Sequence, residues 1–293
     1  MDESRKHELC LYLVERLMNE RIDNGGYITQ TLLDIVPERD HLDSASTTQL
    51  WLAFRALVNV REPWYADKDL LAAQDELLKG LIEEAGITTA RETMTSPLDS
   101  RLHLWRGDIT TLAADAVVNA ANSGMTGCWA PLHYCIDNAI HTFAGMQLRY
   151  ECARLIIEQG HEEPTGQAKV TPAFNLPSRH IIHTVGPIAE GTVNEETCDQ
   201  LASCYRSCLD AAVAAGDTSI AFCCISTGVF GFPAKEAAEI AIATVREWLN
   251  SKETTLETIS TDESATLKNT IPTVIFNVYL DSDEALYRNL LGF

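Results

Sequence analysis

The stretch Asp115-Ala116-Val117-Val118-Asn119-Ala120-Ala121, followed by Asn122, decides the fold. Its apolar residues run on without polar alternation. A strand of that kind is covered on both faces, as in sheets of parallel strands flanked by helices. Asn119 stands inside this run, where a carboxamide is costly unless paired, so it reads as a structural hydrogen-bonder. Asn122 stands at the carboxyl end, where the ligand loops of α/β sheets gather.

Working outward, Leu102–Trp105, Gln167–Phe174, His180–Val185, Ser219–Ser226 and Thr273–Leu280 are strand-like. Cys135–Gln159, Glu196–Ala215, Ala234–Leu249 and Asp283–Leu291 carry helical patterns, with Pro233 at a first-turn position before the third. Alternating strands and helices predict an α/β/α three-layer sandwich. The polar stretch Ser251–Thr270 reads as an exposed loop. Ahead of this region the apolar residues of Glu8–Arg21, Leu50–Val58 and Leu70–Ala85 recur at helical spacing, and Ser46–Thr47 mark a helix start. The expected organisation is a helical N-terminal extension over residues 1–95 and an α/β domain over residues 96–293. The extension shows no chemically suggestive cluster.

The chain has 293 residues, 46% apolar and 22% charged, an ordinary globular balance. No apolar run is long enough to span a bilayer, and the start MDESRKHELC resembles no export signal. A cytoplasmic protein without a membrane partner is expected. Nine cysteines, without regular spacing, then predict free thiols, metal ligands or core residues instead of disulfides. Cys223 and Cys224, adjacent on a strand, point to opposite faces and read as core; Cys204 and Cys208 read as helix packing. The net charge of −20 argues against nucleic acid as a partner. It also repels any anionic ligand at long range. An anion would have to be held by local N–H groups and helix N-termini.

Cys128, His133 and Cys135 are spaced C-x4-H-x-C. Two thiolates and an imidazole suit Zn2+, and three protein ligands leave one position open, as catalytic zinc sites do. By residue type alone, plain packing of these side chains is an equal alternative. Asp137 could polarise a water or simply cap a helix start. His141, one turn on, reads as a packed helix residue.

Five motifs in order resemble the macrodomain family: Gly107-Asp108-Ile109-Thr110, Val118–Asn122, Thr165–Ala168, His183–Pro187 and Ser226–Pro233. The resemblance covers Leu102 to Phe293. Where common catalytic members carry a glycine run, this chain has Gly127-Cys128-Trp129-Ala130-Pro131-Leu132-His133-Tyr134-Cys135. That pattern, together with the helical extension, resembles the zinc-dependent branch. The resemblance implies a three-layer α/β/α macrodomain sandwich and a zinc-dependent hydrolase that removes mono-ADP-ribose from protein side chains, Asp or Glu esters foremost. It implies zinc held by Cys128, His133 and Cys135, with Asn122 and Asp137 as catalytic residues. It puts Asp108 on the adenine amine, Ile109 beside it, and Asn122 on the distal ribose. The loop Ser226, Thr227, Gly228, Val229, Phe230 and Gly231 is implied to hold the diphosphate and distal ribose. Relatives often carry Tyr at the position of Phe230, so a phenol hydroxyl is missing there. ADP-ribose and mono-ADP-ribosylated proteins are the implied partners. A lipoyl-carrier protein is a candidate among them, because some zinc-type members are associated with such carriers. A non-hydrolytic ADP-ribose-binding module and an O-acetyl-ADP-ribose deacetylase are the alternatives.

Overall fold

Of the strands β1 (Thr88–Thr89), β2 (Met94–Thr95), β3 (Leu102–Arg106), β4 (Leu112–Ala113), β5 (Ala116–Ala121), β6 (Ala168–Pro172), β7 (His180–Val185), β8 (Ser219–Phe222) and β9 (Thr273–Val278), β3 and β5 to β9 fall on the stretches that the sequence marks as strand-like. The computed structural model describes residues 1–26, 29–259 and 272–293. These divide into two units: Met1–Gly86, Thr126–Gln159 and Phe174–Leu176 in the first, and Ile87–Met125, Gly160–Ala173 and Pro177–Phe293 in the second.

In the second unit, seven strands form one mixed sheet in the order β2-β3-β9-β8-β5-β7-β6. The five strands from β3 to β7 pair in parallel, and β2 and β6 join antiparallel at the edges. β5 lies inside the sheet, bonded to β7 and β8, which is why its sequence shows no polar alternation. The short strands β1 and β4 pair apart from this sheet. The helices α7 (Glu195–Ala215), α8 (Ala234–Ile259) and α9 (Asp281–Leu291) complete this unit. α7 packs on β6 and β7 through a buried stripe that includes Leu201, Cys204, Tyr205 and Cys208, and α9 packs on β3 and β9.

Asn119 is fully buried on β5, and its side-chain amide donates to His183 Nδ1 on β7 at 3.1 Å. That bond leaves the ring proton on Nε2, which lies 3.0 Å from Thr171 Oγ1 on β6. Burial holds the His183 pKa down at about 3, so the ring is neutral in the folded protein.

The first unit is helical: α1 (Glu3–Asp23), α2 (Gln30–Leu33), α3 (Thr47–Asn59), α4 (Lys68–Ala85), α5 (Ile136–Ala144) and α6 (Met146–Gln159). Ser46 and Gln49 form a reciprocal cap at the start of α3. Leu13 and Val14 of α1, Leu50 and Phe54 of α3, and Leu77 and Leu78 of α4 are buried in its core. The end of α3 is satisfied by an unusual cap. Arg149 of α6 is buried, and its Nη1 donates to Val58 O (3.2 Å), Asn59 O (2.8 Å) and Arg61 O (2.9 Å). Val58 and Asn59 lie in the last turn of α3, where carbonyls run short of intrahelical donors, and Arg61 stands just beyond its cap. Burial lowers the Arg149 pKa to about 10, opposed by the nearby Asp137 and Cys128, so the group stays charged at neutral pH.

Four elements differ from the sequence reading. The predicted helix Cys135–Gln159 is two helices, broken at Gly145 with φ +102°. A Cβ there would meet Gln74 Nε2 at 2.5 Å, so the position demands glycine as well as breaking the helix. The strand predicted over Ser219–Ser226 ends at Phe222. The expected loop Ser251–Thr270 is helical as far as Ile259, because α8 runs past Leu249; residues 260–270 of that reading lie outside the described residues. The helical reading of the first 95 residues holds to Ala85, and Thr88–Thr89 and Met94–Thr95 are short strands.

Two expected outcomes follow from these buried polar groups. Below pH 6.5 the unfolded chain protonates His183 and the native chain does not, so stability held above that pH is lost on acidification toward pH 3. A His183→Gln variant, read by chemical denaturation between pH 7 and 4.5, should show a pH slope shallower by about 1.4 kcal/mol per unit; an unchanged slope would mean that the ring is protonated in the native state. Arg149→Met should cost about 2–4 kcal/mol of stability, because the carbonyls at the end of α3 lose charged donors. An unaltered denaturation midpoint would show that the cap contributes nothing.

Candidate functional site

In the first unit, the chain between Thr126 and Cys135 is held by buried polar groups. Asn59 Oδ1 accepts from Leu132 N at 3.0 Å, while its Nδ2 donates to Thr142 Oγ1 at 3.0 Å. Asn138 Nδ2 donates to Ala130 O at 3.1 Å. Arg149 Nη2 reaches Cys128 O at 3.5 Å, and its guanidinium stacks on the Trp129 ring at 4.4 Å. Gly127 has φ +82°, and a Cβ there would meet the His141 ring at 2.7 Å, so only glycine fits.

This support gathers the three predicted ligands. One atom each from Cys128, His133 and Cys135 lies within 4.8 Å of the others, with Cys128 Sγ 3.4 Å from His133 Nδ1. All three side chains are partly exposed. Cys135 caps the start of α5, where Asn138 N donates to its Sγ at 3.4 Å. The helix start alone would favour a thiolate. Burial outweighs it, with Cys128 and Asp137 adding repulsion, and pushes the Cys135 thiol up to about 12. Two sulfurs and an imidazole nitrogen in one cluster form a donor set that fits a borderline-soft divalent cation such as zinc. Asp137 is buried in the first turn of α5, with Oδ1 3.6 Å from His141 Nε2. His141 is itself a buried helix residue, as its sequence context predicts.

The other predicted residues belong to the second unit and lie at the carboxyl ends of its strands. Asp108 follows β3 and is exposed. Its Oδ1 accepts from Thr110 N (2.9 Å) and Thr110 Oγ1 (2.7 Å), which caps the short turn Ile109–Thr111 and buries Ile109. Asn122 follows β5 and accepts from Gly124 N at 3.0 Å through Oδ1.

The loop after β8 is drawn into a tight curl. Phe232 N donates to Ser226 O, Gly231 N to Gly228 O, and Thr227 Oγ1 to Cys224 O. Ser226 holds φ +65°, and its buried Oγ has no hydrogen-bond partner among the described residues. A Cβ at Gly186 would collide with that Oγ, which explains a glycine after β7. Among the described residues, no hydrogen bond engages the N–H of Gly228, Val229 or Phe230. Consecutive open N–H groups before a helix make a concave anion seat. The neighbouring segment braces the curl: Ala189 N and Glu190 N donate to Phe230 O, and Gly191 N donates to Gly231 O.

Sequence reading had missed Asn59, Arg149 and the Ala189–Gly191 brace. An arginine within the apolar stripe of α6 was the one available signal.

Residues 118–241 match the family model described as Macro domain. A protein from Treponema medium called Protein-ADP-ribose hydrolase is 50% identical over 97% of this chain and 98% of its own length. A Staphylococcus aureus (strain MRSA252) protein of the same name is 41% identical over 94% of this chain and 92% of its own. Among solved structures, the Oceanobacillus iheyensis macrodomain with ADP is similar at TM-score 0.55 and 35% identity, covering 65% of this chain and 90% of that one. The Trypanosoma brucei macrodomain in complex with ADP-ribose is similar at TM-score 0.58 and 28% identity, covering 81% and 95%. The mixed sheet with its flanking helices, preceded by N-terminal helices, is the macrodomain fold. With half of its residues shared over nearly the full length of both chains, this chain belongs to the macrodomain family, among the members called protein-ADP-ribose hydrolases.

Proposed function

We propose that this chain is a zinc-dependent hydrolase that removes mono-ADP-ribose from protein side chains, with Asp and Glu esters as the principal linkages. The observation that carries the reading is the gathering of Cys128, His133 and Cys135 on a braced loop. The names of relatives 41–50% identical over most of the chain support the activity. Action in the cytoplasm is part of this proposal; among the described residues no disulfide joins the cysteines, and no helix is long and apolar enough to cross a membrane. A lipoyl-carrier protein belongs among the substrates to be assayed.

The residues divide the work. Asp108 keeps Oδ1 on Thr110 and offers its second oxygen to the adenine amine, with Ile109 beside it. The open N–H groups of Gly228, Val229 and Phe230, with Ser226, Thr227 and Gly231 shaping the curl, hold the diphosphate. Such local donors are needed because a net charge of −20 repels a nucleotide at long range. Asn122 meets the distal ribose, and Phe230 packs beside it. Cys128, His133 and Cys135 hold the cation. When bound there, zinc would supply a Lewis acid beside the linkage. Asp137, fixed in the first turn of α5, orients the water that adds to ribose C1. The C1–oxygen bond breaks, the hydroxyl stays on the ribose, and the proton leaves with the freed carboxyl group.

Incubation with proteins modified on Asp, Glu, Ser or Arg tests the activity. Release of ADP-ribose from the acidic linkages is expected, and binding without release would make the chain a reader of the modification. Metal analysis of protein purified without chelator should give one zinc per chain, lost in a Cys128→Ala, Cys135→Ala double variant; full zinc retention there would remove these ligands from the account. By calorimetry, Asp108→Ala should weaken ADP-ribose binding by about 1.5–3 kcal/mol, the range for a hydrogen bond with one charged partner. Equal affinities would count against the adenine contact.

A further inference from the structure

Tyr134 stands between two of the three clustered residues, and its side chain is 94% exposed. An aromatic ring left this open usually reflects a slack loop, but this loop is not slack. Leu132 N is bonded to Asn59, Ala130 O to Asn138, and Cys128 O to Arg149. Trp129 of the same loop is 39% exposed, with one face against the Arg149 guanidinium and its indole N–H bonded to Thr126 Oγ1 at 3.1 Å. The loop therefore presents two rings from a fixed backbone. A rigid ring with few rotatable bonds gains much on burial and loses little entropy, which is why Tyr and Trp dominate binding hot spots.

Position names the partner. Successive Cα atoms are about 3.8 Å apart, so Tyr134 lies within one residue step of both His133 and Cys135. On the hydrolase reading, a side-chain linkage brought to that cluster would carry its polypeptide near this exposed residue. A small ester of ADP-ribose brings no chain to meet it. We infer that Tyr134 is a specificity residue that contacts the polypeptide flanking the modified side chain and makes the enzyme prefer ADP-ribosylated protein to small ADP-ribosyl esters. Trp129 extends the same contact. The inference rests on the hydrolase reading above, because that reading brings the linkage to the cluster.

The full chain and its Tyr134→Ala and Tyr134→Phe variants, checked for equal zinc content and melting temperature, are compared on an ADP-ribosylated protein and on O-acetyl-ADP-ribose. Tyr134→Ala should raise KM for the modified protein about tenfold, the size of a typical hot-spot truncation, with kcat held. Tyr134→Phe should stay within about twofold of the original chain, because the ring face makes the contact. Both variants should treat the small ester as the original chain does. Wild-type kinetics on the protein, or an equal loss on both substrates, would overturn the inference. A second readout needs no turnover: the affinity for an ADP-ribosylated peptide relative to free ADP-ribose. That ratio should exceed one in the original chain and fall several-fold toward one in Tyr134→Ala. If hydrolysis is absent and the ratio still falls, the contact stands and the hydrolytic reading is lost. An unmoved ratio overturns the contact.

Discussion

A single buried guanidinium carries much of the helical unit's organisation. Arg149 closes the carbonyl end of α3, bonds the Cys128 carbonyl and stacks on Trp129. Burying a charged group is expensive, and the cost is offset only when its donors are engaged. Here the acceptors are backbone carbonyls, which are themselves costly to leave unpaired. One side chain thereby satisfies a helix end and fixes the first residue of the C-x4-H-x-C run. Asn59 and Asn138 fix the middle of the same run. The clustering of two sulfurs and an imidazole is a consequence of this bracing, because ten residues of loop would not otherwise hold three ligand atoms within 4.8 Å.

On the proposed function, the sheet unit has a different task, that of receiving an anion on an acidic protein, and it offers backbone instead of basic side chains for it. The curl at Ser226–Gly231 leaves consecutive N–H groups open, and the Ala189–Gly191 segment holds it from behind. Positive φ at Ser226 is the conformational cost of that curl, while Gly231 takes its positive φ without a Cβ to strain it. Close approach at Gly186 shows how little room stands behind it.

Much of the fold was legible because its signals are local. The unbroken apolar run at β5 predicted an interior strand, and the isolated Asn119 within it predicted a paired carboxamide; His183 supplies the partner. The spacing of Cys128, His133 and Cys135 was equally plain, and the structure brings their ligand atoms together. What was hidden depends on distant partners. Arg149 bonds carbonyls some ninety positions earlier in the chain, and Asn59 reaches forward to Leu132. No period or motif encodes such pairs. The break at Gly145 was missed because an isolated glycine within a helical pattern is often tolerated; here it takes φ +102°. The extension of α8 beyond Leu249 was missed because its polar composition matched that of a loop.

In the proposed function, one braced loop makes one cation site from two cysteines and one histidine. X-ray absorption at the zinc edge, on protein purified without chelator, reads that site from the metal's side. Two sulfur scatterers at about 2.3 Å and imidazole nitrogen at about 2.0–2.1 Å are expected, with a lighter atom completing the shell. A shell of oxygen and nitrogen alone would contradict it, because it would place the metal away from Cys128 and Cys135.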